Sequence, residues 1–141
     1  MQNNYVFFKI PSLSVNESFA RAAVAAFCSI LNPTISEIND IKTAVSEAVT
    51  NAVIHGYENN VGEIDISCKI KGQTIEVIVE DFGCGILDVE KAKEPLFTTK
   101  PELERSGMGF AVMESYMDDV VVLSENDVGT KVIMRKKISE K

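Results

Sequence analysis

Four short motifs in this 141-residue chain hold the side chains and glycines whose chemistry could serve a ligand. Glu47 and Asn51 stand four apart in a stretch of helical periodicity, so they share one face, with His55 a further turn along. The small residues Ala44, Ala48 and Ala52 beside them would let a ligand or another element approach closely; the pair would also suit a solvated face. Asp81-Phe82-Gly83-Cys84-Gly85 stands where strand-like alternation ends. A carboxylate fixed at a strand terminus can accept hydrogen bonds from a planar base, and glycines let the backbone turn tightly against it, although Asp and Gly are ordinary turn residues too. Ser106-Gly107-Met108-Gly109 leads into a helical stretch, where free amides and the dipole favour phosphate, or it is simply a glycine-containing connection. Gly129-Thr130 opens the last strand and on its own reads as a hairpin turn.

The elements that must carry these motifs follow from periodicity. Residues 5–10 read as a first strand closed by Pro11. Ser14 and Glu17 have the spacing of a capping box opening a helix over residues 15–31, with Val15, Phe19, Ala22, Ala23, Ala26, Phe27 and Ile30 as its buried stripe and Glu17 and Arg21 outside it. Thr34 and Glu37 repeat the box before a longer helix with Ile38, Ile41, Val45, Ala48 and Ala52 on its core face, stopped near Gly56. Residues 62–81 alternate around Lys71-Gly72 as a hairpin. Residues 81–109 read as a long functional loop with a helical fragment near 88–93. A helix over 110–117 and strands over 120–124 and 131–135 complete an α+β sandwich with a mostly antiparallel sheet.

At 45% hydrophobic and 25% charged, without repeat or linker, the chain reads as one globular domain spanning residues 1–141. No apolar run approaches the ~20 residues of a membrane span and the N-terminus lacks the regions of a signal peptide, which points to the cytoplasm. Cys28, Cys68 and Cys84 have no paired spacing and read as reduced thiols, two of them in the core. A formal charge of −7 argues against direct nucleic-acid binding; Arg135-Lys136-Lys137 reads as a solvated chain end.

Taken in order, Glu-x-x-x-Asn on a helix, Asp-x-Gly-x-Gly after a strand, Gly-x-Gly before a helix and Gly-Thr before a strand resemble the Bergerat (GHKL, histidine-kinase-like) ATP-binding fold, a two-layer α/β sandwich with helices on one face. Asn16-Glu17-Ser18-Phe19-Ala20-Arg21, Glu47-Ala48-Val49-Thr50-Asn51-Ala52-Val53-Ile54-His55-Gly56-Tyr57 and Pro95-Leu96-Phe97-Thr98-Thr99-Lys100-Pro101-Glu102-Leu103-Glu104-Arg105-Ser106-Gly107-Met108-Gly109-Phe110 are similar to the sporulation anti-sigma F factor family of serine kinases, over nearly the whole chain. The resemblance implies that Asn51 ligates Mg²⁺ bridging the phosphates of ATP or ADP and that Glu47 is the general base, roles that suit an amide oxygen and a carboxylate. It implies that Asp81 binds the adenine amino group, that Gly83 and Gly85 bring backbone against the base, and that Thr130 completes the adenine site. Thr98, Thr99, Lys100, Arg105, Ser106, Gly107, Met108 and Gly109 would surround the phosphates, with Lys100 or Arg105 offsetting their charge. Arg21 matches an arginine at the partner surface.

The function so implied is that of a homodimeric anti-sigma factor that holds a sigma factor of the sigma F type from RNA polymerase and phosphorylates an anti-anti-sigma antagonist on serine. Alternatives are a general-stress anti-sigma kinase and a non-catalytic nucleotide-gated binder, which would have little need of Glu47. A histidine-kinase catalytic domain lacks support because His55, the single histidine, sits at a helix end as a capping or packing residue. A gyrase-like ATPase would need a transducer domain after Arg135. Asp81-Phe82-Gly83 matches a protein-kinase metal triplet without its His-Arg-Asp loop, and no P-loop occurs.

Overall fold

The computed structural model describes residues 3–57, 60–86 and 109–139. Alternating apolar runs become β1 (Asn4–Pro11), β2 (Glu63–Lys71), β3 (Thr74–Asp81), β4 (Asp119–Glu125) and β5 (Gly129–Lys137). Runs with helical periodicity become α1 (Asn16–Cys28), α2 (Ile35–Asn51) and α3 (Gly109–Tyr116). A 3-10 turn, Ser29–Leu31, follows α1, and a π turn, Ala52–Gly56, follows α2. The strands form one sheet in the order β1-β2-β3-β5-β4, antiparallel throughout. Lys71 pairs with Thr74 across a two-residue turn in which Gly72 takes φ 62°, a conformation that suits glycine.

Alternation puts Ile64, Ile66, Cys68 and Ile70 of β2, Ile75, Val77 and Val79 of β3, and Val132 and Met134 of β5 on the buried face. They join Ile41, Ala44, Val45, Ala48 and Val49 of α2 and Met113 of α3 in one apolar cluster. The helices therefore cover one face of the sheet, α1 against β2 and α2 against β3, with α2 between α1 and α3. Cys28 and Cys68 are fully buried, and burial pushes both thiols up to about 12, which keeps them protonated.

Two helix starts that look alike in sequence differ in structure. Thr34 and Glu37 close a reciprocal capping box, Thr34 Oγ1 accepting from the Glu37 amide at 3.0 Å and Glu37 Oε1 from the Thr34 amide at 2.8 Å. The box expected at Ser14 and Glu17 does not form; α1 is capped at Val15 without a side-chain bond, and the Glu17 amide donates to the backbone oxygen of Ser14. The buried stripe of α1 is also rotated from the expected one. Ala20, Val24 and Cys28, four apart, are its core, while Val15, Phe19 and Ile30 are exposed. Phe19 packs edge-on against Phe8 of β1, with ring centroids 5.8 Å apart. The basic tail is not merely solvated: Arg135 bonds Glu76 at 2.8 Å and Asp119 at 3.0 Å, and Lys136 bonds the Tyr116 carbonyl at 2.8 Å. The helical fragment expected near 88–93 lies outside the described residues.

Candidate functional site

The site grows from the C-terminal end of β3. Strand pairing sets Asp81 between Ile64 of β2 and Thr130 of β5, and the residue is only 6% exposed. Burial pushes its carboxyl above the usual aspartate range, against hydrogen bonds from the Gly83 and Thr130 amides that favour the charged form. The Gly83 amide donates to Asp81 Oδ1 at 3.0 Å. A buried carboxylate held in place by two amides fits the hydrogen-bonding amino edge of a purine.

Glycines make room for this carboxylate. A Cβ on Gly56 would stand 2.8 Å from Asp81 Cγ, and one on Gly129, at φ 144°, would strike the Asp81 carbonyl oxygen. Gly83 and Gly85 are small for packing reasons as well: a side chain on the first would meet the Gly56 carbonyl and on the second the Glu125 carbonyl. The Cys84 amide donates to the Gly56 carbonyl at 2.8 Å, and Cys84 Sγ lies 3.1 Å from the His55 carbonyl, so the turn after β3 is laced to the end of α2. Thr130 Oγ1 lies 3.0 Å from Ser124 Oγ, which also accepts the Ile86 amide at 2.7 Å.

Glu47 and Asn51 are half-buried on the last turns of α2. Immediately after Asn51 the helix widens into the π turn, closed by a bond from the Tyr57 amide to the Ala52 carbonyl at 3.3 Å; such turns recur at functional sites. Gly56, at its end, abuts Asp81, so the Glu47–Asn51 face and the carboxylate are carried by joined elements. Ala44, Ala48 and Ala52 are buried at 0–3% exposure, so these small residues seat protein neighbours and not a ligand. Gly109 is the first residue of α3, which packs along α2. Thr98, Thr99, Lys100, Arg105, Ser106, Gly107 and Met108 lie outside the described residues. Among the described residues no three His, Cys, Asp or Glu side chains converge as a metal site. A Mg²⁺ carried by one amide oxygen, phosphates and water needs no such cluster, so Asn51 fits that role.

Arg21 stands on the flank of α1 that faces α2. Its Nη1 is 3.4 Å from both Glu17 Oε1 and Ser46 Oγ, so it is tethered between α1 and α2 and its side chain is 38% exposed.

Sequence reasoning gave no role to Tyr57 or Ser124 and read Gly56 only as a helix stop. The Ser124 and Tyr57 bonds join separate strands and loops, and neither residue carries a local signal. The glycine spacing from Gly56 to Gly129 held a clue only once β3, the π turn and β5 were known to meet.

The chain matches a model of the histidine kinase-like ATPase domain over residues 10–136. It is 56% identical over 136 residues to a protein named anti-sigma F factor from Clostridium kluyveri, covering 96% of each chain. A Clostridium acetobutylicum protein of the same name is 55% identical over 139 residues, covering 99% of this chain and 97% of that one. One from Bacillus velezensis is 51% identical over 138 residues, covering 97% and 94%. The fold is shared with a crystal structure of the RsbU and RsbW domains of a Mycobacterium tuberculosis protein, at TM-score 0.72 and 20% identity, over 98% of this chain and 33% of that one. A five-stranded antiparallel sheet with helices on one face, a family match over most of its length and full-length relatives above 50% identity together mean that this chain belongs to the anti-sigma F factor family of histidine kinase-like ATPase domains.

Proposed function

We propose that this protein is an ATP-dependent anti-sigma factor and serine kinase: it sequesters a sporulation sigma factor of the sigma F type and phosphorylates the anti-anti-sigma protein that competes for it. The observation that carries this reading is the abutment of Gly56 on Asp81, which joins a purine-recognising carboxylate to the helix end bearing Glu47 and Asn51. Bound Mg-ATP would supply the γ-phosphoryl group, with ADP as the leaving group. Asp81 accepts the adenine amino group with Thr130 beside it, Gly83 and Gly85 hold the turn against the base, and Asn51 offers its amide oxygen to the metal. Glu47 takes the proton of the attacking serine hydroxyl. In this reading Thr98, Thr99, Lys100, Arg105, Ser106, Gly107, Met108 and Gly109 would surround the phosphates, and Arg21 would serve the partner surface.

The sheet face away from the helices supports the homodimer. Ile78, Ile133 and Val121 are in register across it as an apolar row, which Ser67 of β2 separates from Phe7 of β1, itself 57% exposed. The reading puts the protein in the cytoplasm, where sigma factors meet polymerase; among the described residues no helix is long and apolar enough to cross a membrane.

Incubation with Mg-ATP and the cognate anti-anti-sigma protein, followed by intact-mass measurement, tests the kinase. The wild type is expected to add one phosphoryl group on serine, and Glu47→Ala to slow transfer by roughly 10²- to 10⁴-fold while still binding ATP. Tight ATP binding without transfer by the wild type would sink the kinase and leave a nucleotide-gated binder.

A further inference from the structure

The turn after β3 has its apolar anchor at the far end, where Ile86 packs against the core, and none at its first residue. Phe82 follows the purine-recognising Asp81, yet the residue is 51% exposed, so its ring does not fix the peptide between Asp81 and Gly83. A hydrogen bond does. The Phe82 amide donates to the Tyr57 hydroxyl at 2.8 Å, and that hydroxyl donates to the Glu63 carbonyl at 2.5 Å. One phenol thus uses its donor and an acceptor site to tie β3 to the first residue of β2. Its backbone amide closes the π turn after Asn51 through Ala52. The ring is braced by Gly62, where a Cβ would lie 2.5 Å from the Tyr57 Cζ atom.

We infer that Tyr57 is a positioning residue for purine recognition, holding the Phe82 peptide so that Asp81 meets the amino edge of the base and linking that carboxylate to the turn behind Asn51. The inference rests on the reading of Asp81 as the adenine-binding residue. Tyr57 does not touch the base; it acts through the loop. Removing its hydroxyl leaves the Phe82 amide without its partner and frees the middle of a three-residue segment whose two ends, the Asp81 carboxylate and the Gly83 amide, bond each other. A carboxylate that wanders loses most where recognition depends on a directed hydrogen bond, and little where the ligand offers no amino group.

Calorimetric titration of the full chain with Mg-ATP and with Mg-ITP, in which a carbonyl replaces the amino group, separates positioning from a structural role. The wild type is expected to prefer ATP, and Tyr57→Phe to cut that preference by about three- to tenfold, the change lying in ATP affinity while ITP affinity stays put. An unchanged preference, or equal losses for both nucleotides, overturns the inference and leaves the Asp81 reading standing. A wild type that binds both equally overturns both. Should Tyr57→Phe not fold, hydrogen exchange at the wild-type Phe82 amide decides: protection without nucleotide supports the inference, and exchange at the rate of an unstructured amide overturns it.

Discussion

Asp81 carries opposite consequences for stability and for binding. Its folded-state pKa is raised by burial, so the protonated carboxyl contributes stability below the ordinary aspartate range, and that contribution is lost as pH rises through the raised folded value. The unliganded protein therefore carries a group whose charged form burial disfavours, a familiar cost of a preformed binding group. Replacing that charge with Asp81→Asn is expected to leave the melting temperature equal or higher while lowering ATP affinity about tenfold or more, since hydrogen bonds to charged groups are the stronger ones. Thermal unfolding and nucleotide titration on the same sample check both halves; a lower melting temperature with unchanged affinity would contradict the assignment. Acidification acts in the same direction. Protonation turns the acceptor into a donor, so ATP affinity is expected to fall as pH drops, starting at higher pH than an ordinary aspartate would give.

At the scale of elements, α2 is held at both ends, and its N-terminal hold is pH-sensitive. Glu37 accepts the Thr34 amide through Oε1 and the Ser139 amide through Oε2, both at 2.8 Å, so one carboxylate caps the helix and latches the segment after β5. The Thr34 bond first, then the Ser139 bond, lowers its pKa to about 2 from an ordinary 4.5. Stability from this latch is thus present above about pH 4.5 and is lost as pH falls toward 2. Glu37→Ala should cost about 1 kcal/mol at neutral pH, the usual range for a lost cap, less in high salt because the group is only half-buried. Denaturant melts at pH 7 and pH 2.5 should show the gap between variant and wild type narrowing on acidification. This cap was legible in the sequence because a capping box is local. The identical spacing at Ser14 was misleading, because the fit of α1 against β1 and β2 decided where that helix begins. Its stripe misled for a related reason: Val15, Phe19 and Ile30 outweigh Ala20 and Cys28 in hydrophobicity, yet the small residues are the ones that fit against the sheet.

For the whole molecule, sheet pairing turns local alternation into a patterned surface that no single strand reveals. The hairpin of β2 and β3 and the final pair β4 and β5 were readable from alternation and turn residues, whereas the β3–β5 pairing, which sets Thr130 opposite Asp81, joins distant segments. On the open face that pairing aligns Ile78 with Ile133 and Ile133 with Val121, and it flanks this row with cross-strand ion pairs, Arg135 with Glu76 and Asp119 on one side and Lys9 with Asp65 on the other. A chain of formal charge −7 would repel a second copy in general, but along this face Lys9, Lys69, Lys131 and Arg135 balance Asp65, Glu76, Glu80 and Asp119. The proposed homodimer can therefore form there with an apolar centre and little net repulsion. Ile133→Glu sets a charge in the middle of the row without touching the helix-covered core. Sedimentation equilibrium is expected to report the mass of two chains for the wild type and of one for the variant, with ATP binding retained because Asp81 and Asn51 lie on the other side of the sheet. A variant that keeps the dimer mass would move the interface elsewhere, to the exposed edge of β1 or the outer side of α1 around Phe19.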